Sequence, residues 1–251
     1  MSEEVPASLF ERVVPLVDGP NIVAIVLLGS LARGEETPWS DLDVERWFTT
    51  ATEMKEGWPR FIDGRLLMVS SRTVDDVWKE LRSAERAIWA VPAYRTMRVL
   101  VDRRGDAAAI HVAAVAFDWE QLREDAAHSA RLIVAKSAEY VFKIRAAVER
   151  QDESAALHAE GSLIGRCARA VAIGRGVLVR SENEYYRRVC ETAGDAWTRA
   201  FRSSFGLEDG DAFSQARAAC RLYTETVLAL EDLLDADTRV ITARALAIAP
   251  R

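Results

Sequence analysis

The chain has 251 residues, of which 49% are hydrophobic, and it carries a formal net charge of −6 at pH 7. This composition is typical of a globular protein with one large or two ordinary domains, and it excludes a disordered chain. The acidic balance argues against a surface built for polyanions, so we expect no nucleic-acid partner and only local phosphate binding.

The N-terminal segments predict a helix followed by two strands. Apolar residues recur every three or four positions from Pro6 to Val17, which indicates an amphipathic helix. The run IVAIVLL, which starts at Ile22, is short and β-branched, as in a strand buried on both faces. The alternation in DLDVERWF, residues 41–48, predicts a second strand. One face of that strand would carry three carboxylates, at Asp41, Asp43 and Glu45.

Three further elements are predicted before residue 105. The segment RFIDGRLLMVSS, residues 60–71, contains Asp63-Gly64 between apolar arms and is typical of a β-hairpin. Thr73 stands where it can cap a helix in TVDDVWKEL. The segment YRTMRVLVD, residues 94–102, predicts another strand.

The composition changes after residue 105. Alanine-rich segments with helical spacing follow at 106–117, 119–150, 153–174, 182–192, 195–205, 211–235 and 238–248. We therefore predict an α+β protein with two domains. Residues 1–105 would form a mixed sheet with helices, and residues 106–251 an all-α helical bundle.

The cysteines and the hydrophobic runs bear on the compartment. The chain has three cysteines, an odd number, and no CxxC pair, which favours reduced thiols over a disulfide framework. No run approaches the roughly 18 apolar residues of a membrane span, and the first residues lack the apolar core of a signal peptide. We expect a cytoplasmic protein with no membrane partner.

The two aspartates of the second predicted strand suggest a metal site. Residues two apart on a strand lie about 7 Å apart, so Asp41 and Asp43 are close enough to share a cation. Magnesium takes one or two protein carboxylates and completes its shell with water and substrate phosphates. Gly29 permits close approach of the backbone, and Ser30 with the amides that follow it could hold a phosphate nearby.

This arrangement resembles a known family motif. Gly29-Ser30, ten further residues and Asp41-Leu42-Asp43 resemble the motif of the DNA polymerase β-like nucleotidyltransferase superfamily, and more narrowly that of the kanamycin-type antibiotic nucleotidyltransferases. The resemblance implies that Asp41 and Asp43 bind Mg²⁺ and act in catalysis. It also implies that the nucleotide phosphates are bound by Gly29, Ser30, Arg33 and Ser40.

A second, shorter resemblance lies in the helical half. The run Glu139-Tyr140-Val141-Phe142-Lys143 is similar to a Glu-Tyr-x-x-Lys run of the kanamycin-type enzymes. There the glutamate is a catalytic base and the lysine binds phosphate, which implies the same roles for Glu139 and Lys143. The alternative is an ordinary i,i+4 ion pair on a helix surface.

The sequence departs from the superfamily pattern at the third carboxylate. The superfamily places an acid on a neighbouring strand, but GRLLMVSS, residues 64–71, offers none. Four explanations remain open at this stage: Glu45 replaces the third ligand, Asp63 is brought in by the hairpin, one metal binds instead of two, or catalysis is weakened.

These observations predict an enzyme that moves a nucleoside monophosphate from a nucleoside triphosphate, most simply ATP, to a hydroxyl of a small molecule and releases pyrophosphate. The acidic balance suits a cationic acceptor such as an aminoglycoside. Two alternatives are a toxin-like or regulatory nucleotidyltransferase that modifies tRNA or protein, and a catalytically weakened nucleotide-binding protein. The resemblance further implies a homodimer.

Overall fold

The computed structural model describes residues 7–54, 57–208 and 210–250. Its backbone divides into two compact units. The first unit contains the chain up to Asp118 together with Leu178–Glu182, and the second contains Trp119–Val177 and the chain from Asn183 onward. The domain ranges 1–105 and 106–251 stay a prediction, because a division by packing does not test which segment folds on its own.

The first unit contains both strands and helices. It contains α1 (Ala7–Val17), β1 (Ile22–Leu27), α2 (Gly29–Arg33), β2 (Leu42–Phe48), β3 (Arg60–Ile62), β4 (Arg65–Thr73), α3 (Val74–Leu81), α4 (Ala84–Arg95), β5 (Arg98–Asp102) and α5 (Asp106–Val115). The second unit contains α6 (Arg123–Arg150), α7 (Glu153–Gly174), α8 (Tyr185–Ala193), α9 (Asp195–Ser204), α10 (Ala212–Ala229) and α11 (Ala236–Ile248).

The strands of the first unit form one mixed sheet in the order β3-β4-β2-β1-β5. The β2 and β4 strands run parallel, whereas the other neighbouring pairs are antiparallel. All six residues of β1 are buried, as its unbroken apolar sequence predicts. The predicted α+β class, a mixed sheet with helices followed by a helical region, is confirmed.

The side chains of β2 divide between two environments, because successive strand residues point to opposite faces. Leu42, Val44 and Phe48 belong to an apolar core that α1 covers. On the other face, Trp47 packs edge-on against Tyr94 of α4, with ring centroids 5.8 Å apart. Asp43 lies on the same face as Trp47 and is only partly buried.

Two local predictions in the first unit are confirmed, and one is wrong. Asp63 and Gly64 both have positive φ, 50° and 77°, and connect β3 to β4 as a tight hairpin. The Thr73 hydroxyl accepts a hydrogen bond from the amide of Asp76 at 3.0 Å and caps α3. The strand predicted over 94–102 begins only at Arg98, because Tyr94 still belongs to helix α4, which ends at Arg95.

The second unit is helical throughout its described residues apart from turns. Aspartate side chains start three of its helices: Asp152, Asp211 and Asp235 each accept a hydrogen bond from the amide three residues later. The helix predicted over 211–235 is shorter in the structure, since α10 ends at Ala229, and the segment predicted over 238–248 corresponds to α11, which begins after Asp235. No helix within the described ranges has both the length and the apolar character needed to cross a bilayer.

Candidate functional site

The candidate site lies where β1 ends and β2 begins. The two strands are antiparallel, with Leu27 opposite Val44, and the amide of Leu28 donates a hydrogen bond to the carbonyl oxygen of Asp43 at 2.8 Å. The chain then turns at Gly29, which has a φ of +71°, directly into the short helix α2. The central sheet thus places the glycine-serine turn beside the second aspartate.

Gly29 and Asp43 approach each other very closely. A Cβ atom built on residue 29 would lie 2.5 Å from Oδ2 of Asp43. The positive φ and the missing side chain are therefore both needed at this position. The sequence signal for Gly29, close approach of the backbone, is correct, although the approaching group here is a carboxylate of the same chain.

Among the described residues, negative charge predominates around Asp43. Burial raises the pKa of Asp43 above its ordinary value, the negative charges of Asp41 and Glu182 raise it further, and Arg33 lowers it. In the described residues, the carboxylates of Asp41 and Asp43 form neither a salt bridge nor a hydrogen bond. A cation placed between them would relieve this repulsion.

Glu182 is a contributor that local sequence patterns do not reveal. It belongs to the segment Leu178–Glu182, which is part of the first unit although it is far along the chain from the strands. The amide of Val179 donates to the carbonyl of Ile88 at 2.8 Å and attaches this segment to α4. No short motif carries this information, because Val179 and Ile88 belong to segments that are far apart in the sequence.

Arg33 is occupied in this structure. Its Nε donates to Oε2 of Glu35 at 2.7 Å, and its Nη1 donates to the carbonyl oxygen of Arg180 at 3.2 Å. The Arg180 guanidinium in turn lies 3.4 Å from Oε1 of Glu35. Arg33 therefore connects α2 to the segment Leu178–Glu182. Its expected role in phosphate binding stays a prediction and would require it to leave Glu35.

The two motif serines differ in their surroundings. The Ser40 hydroxyl accepts a hydrogen bond from the amide of Thr37 at 2.9 Å and shapes the loop before β2. The Ser30 side chain is partly buried in the first turn of α2 and makes no hydrogen bond to another described residue. Ser30 is thus available to a ligand, whereas Ser40 already serves the loop. Neither predicted contact with nucleotide is tested here.

Glu45 is buried in a hydrogen-bonded network and is not placed to replace a third metal ligand. Its side chain is only 4% exposed. Oε1 accepts hydrogen bonds from Trp47 Nε1 at 2.7 Å and from the Tyr94 hydroxyl at 3.0 Å. Oε2 accepts from the Ser70 hydroxyl at 3.4 Å and lies 3.9 Å from Nε of Arg72. Burial raises the pKa of Glu45, while these donors lower it.

Asp63 is also committed to a structural role. It occupies the hairpin turn with a φ of 50°, and Arg12 Nη1 donates to its Oδ1 at 3.0 Å. Asp63 thus serves the hairpin turn that the Asp63-Gly64 pair predicts. With Glu45 and Asp63 both accounted for, neither supplies a third carboxylate beside Asp43.

Glu139 and Lys143 lie on α6 in the second unit, where they form an i,i+4 ion pair of 2.6 Å between Oε1 and Nζ. This contact lowers the pKa of Glu139 and raises that of Lys143. The Lys143 ammonium also lies 4.7 Å from the centroid of the Tyr140 ring, and the Arg166 guanidinium lies 4.9 Å from the same centroid. The base and phosphate-binding roles of this pair stay predictions.

The residues present fit one divalent cation. Asp41 and Asp43 offer hard oxygen donors that no described residue engages in a salt bridge or hydrogen bond, and such oxygens are the donors that Mg²⁺ prefers. In the described ranges, no group of three or more His, Cys, Asp or Glu side chains is arranged to hold a metal ion. Water and a substrate phosphate would have to complete the shell.

Comparison with known proteins identifies the fold. No family model and no curated protein matches the chain. Among solved structures, the chain is similar to the crystal structure of a nucleotidyltransferase-like protein from Exiguobacterium sibiricum. The two share 11% sequence identity with a TM-score of 0.50, and the alignment covers 95% of this chain and 76% of the other. The chain therefore has a nucleotidyltransferase-like fold. The narrower resemblance to the kanamycin-type enzymes stays a prediction.

Proposed function

We propose that the chain is a Mg²⁺-dependent nucleotidyltransferase that moves a nucleoside monophosphate from a nucleoside triphosphate to a hydroxyl of a small molecule. The observation that carries this proposal is the pair Asp41 and Asp43, whose repulsion is not relieved within the described chain, beside the Gly29-Ser30 turn. The nucleotidyltransferase-like fold supports it.

Each of these residues would have its own role in the reaction. Asp41 and Asp43 hold the cation, and Ser30 with the amides of the turn contacts the phosphates. When bound, the cation neutralises charge on the triphosphate oxygens. Glu139 takes the proton of the acceptor hydroxyl, the acceptor oxygen forms a bond to the α-phosphorus, and the bond from that phosphorus to pyrophosphate breaks. Arg33 and Lys143 neutralise the departing pyrophosphate.

The acceptor is proposed to be a small cationic molecule of the aminoglycoside kind. The net charge of −6 and the uncompensated carboxylates at the site favour an amine-bearing acceptor through long-range attraction. The same acidic balance disfavours an RNA acceptor. ATP is the simplest donor to test first, with the other triphosphates as comparison.

A second candidate is a nucleotide-binding protein that does not transfer. It is favoured by one observation: the β4 residue paired with Asp43 is Met68 rather than an acid. In this case the triphosphate would bind together with the cation and would dissociate without being cleaved.

Transfer of the α-phosphate label from each triphosphate to a panel of hydroxyl acceptors, measured together with pyrophosphate release, separates the two candidates. The proposal expects Mg²⁺-dependent transfer that Asp43→Asn abolishes. Asp63→Asn is the matched control, because Asp63 lies in the same unit in a turn that asparagine tolerates. Triphosphate binding without pyrophosphate release for any acceptor favours the second candidate. Full transfer by Asp43→Asn contradicts the proposal.

A further inference from the structure

The parallel ladder between β2 and β4 determines which side chains stand beside Asp43. Cα partners in this ladder are Asp43 with Met68 and Glu45 with Ser70. Side chains of paired residues in adjacent strands point to the same face of the sheet. Met68 is therefore the neighbour that Asp43 meets across the ladder, on the face opposite the α1 core.

The space at this point of the sheet is open and poor in carboxylates. A cavity of about 320 Å³ is lined by Leu28, Asp43, Val44, Met68, Val69 and Ser70. Asp43 is the one acidic side chain in that lining, and Met68 is 38% exposed. The nearest polar alternative, Ser70, directs its hydroxyl to Glu45. A thioether is a poor ligand for Mg²⁺, which selects oxygen donors.

We infer that the site formed by Asp41 and Asp43 binds a single divalent cation, because Met68 occupies the β4 position from which a further carboxylate would bridge to a second ion. This inference rests on the proposed function. Two-metal sites hold their ions about 3.5–4 Å apart and need carboxylates that reach both. Asp43 has no such companion on β4, and no three-acid group exists in residues 7–54, 57–208 and 210–250.

With a single cation, the protein must itself provide the group that accepts the proton of the attacking hydroxyl. In two-metal sites the second ion stabilises the attacking oxygen. Here no ion is assigned to the attacking oxygen, so its proton must pass to a side chain of the protein. This requirement agrees with the role of general base proposed for Glu139.

The number of ions can be counted with Mn²⁺ as the probe. The full chain is titrated with Mn²⁺ in the presence of a non-hydrolysable ATP analogue, and the bound ions are examined by electron paramagnetic resonance. One Mn²⁺ per chain with the hyperfine pattern of an isolated ion is expected. In Met68→Asp we expect close to two ions per chain and the broadened spectrum of a coupled pair. Met68→Asn, which adds no charge, should remain at one ion.

The outcomes separate this inference from the proposed function. A coupled pair in the wild-type protein overturns the single-cation inference while the proposed function stands. A single ion in a folded Met68→Asp variant overturns the role given to Met68. Loss of the ion in Glu182→Gln would make Glu182 a ligand and would also overturn that role. If no Mn²⁺ binds to the wild-type chain and Asp43→Asn behaves identically, the proposed function itself fails.

Discussion

Oδ2 of Asp43 lies so close to Gly29 that a Cβ atom on residue 29 would be only 2.5 Å from it. The carboxylate can therefore hold its position only while residue 29 has no side chain. This contact couples the turn after β1 to the proposed metal ligand on β2.

We expect Gly29→Ala to displace the Asp43 carboxylate more than it destabilises the fold. The clashing atom is the end of a flexible side chain, so Asp43 can rotate away, and the remaining penalty of roughly 1–2 kcal/mol comes from the positive φ. The matched control is Gly34→Ala, because Gly34 has a φ of +68° and open space around its Cβ position. Urea unfolding should give similar losses for both variants, whereas Mn²⁺ binding should weaken only in Gly29→Ala. Equal Mn²⁺ binding in the two variants would contradict the coupling.

Much of this framework can be predicted from the sequence because it is encoded locally. The β1 strand is an unbroken β-branched run, the Asp63-Gly64 turn needs two positive φ values, and α7 begins at the cap supplied by Asp152. Each signal lies within a few residues of its effect.

The elements that could not be predicted depend on distant partners. Helix α4 is apolar around most of its circumference and contains Pro92, so it shows no amphipathic period. The attachment of Val179 to Ile88 and of Arg33 to the carbonyl of Arg180 joins segments far apart in sequence. The same holds for the Asp43–Met68 pairing, since a parallel register is not written in either strand alone.

The raised pKa of Asp43 predicts that this residue destabilises the metal-free protein. A folded-state pKa above the ordinary value of 3.8 means that stability falls as pH rises from 3.8 through the raised pKa. We expect Asp43→Asn to raise the thermal midpoint at pH 7 in buffer containing a chelator, and the gain to shrink as the pH approaches 3.8. Added Mg²⁺ should then stabilise the wild type and leave Asp43→Asn unchanged. A lower midpoint for the variant in chelator would show that Asp43 is a structural residue.

Glu160 on α7 should produce a second, independent pH dependence. Its side chain is 6% exposed, its Oε2 has no hydrogen-bond partner among the described residues, and burial raises its pKa to about 7 from 4.5. The folded state therefore holds a proton that the unfolded chain releases, and stability falls between pH 4.5 and 7 by about 3 kcal/mol. Glu160→Gln should flatten this part of the curve of unfolding free energy against pH. If the slope of unfolding free energy against pH is the same in Glu160→Gln, another group must be responsible for the pH dependence.

The Glu45 network should behave as structure and not as part of the metal site. Glu45→Ala leaves the buried Nε1–H of Trp47 without its acceptor, whereas the Tyr94 hydroxyl keeps Glu80 Oε2 at 3.2 Å, so we expect a cost of about 1–3 kcal/mol of unfolding free energy. Tyr94→Phe removes one donor only and should cost about 1–2 kcal/mol. If Glu45 is not a ligand, a folded Glu45→Gln protein keeps the stabilisation by Mg²⁺ that Asp43→Asn loses. Loss of that stabilisation in Glu45→Gln would return Glu45 to the metal site.

Helix α6 offers a direct test of whether Glu139 and Lys143 act in catalysis, because it carries a second i,i+4 ion pair in which the basic residue comes first. Glu139 with Lys143 and Glu149 with Arg145 are both exposed i,i+4 pairs with a contact of 2.6 Å. Exposed pairs of this kind contribute little to stability, so substitution of any of the four side chains should change the unfolding midpoint only slightly. We expect Glu139→Gln to reduce the transfer rate by about 10²–10⁴-fold, the usual contribution of a general base.

The matched variant Glu149→Gln should transfer at the wild-type rate and unfold at the same midpoint. Rates are compared under saturating triphosphate, so that a loss of binding does not imitate a loss of proton transfer. Lys143→Met should then raise the KM for the triphosphate, because the proposed role of Lys143 is to neutralise phosphate charge. If Glu139→Gln and Glu149→Gln give equal rates, the Glu139–Lys143 pair is an ordinary surface ion pair, and the acceptor proton must pass to another group.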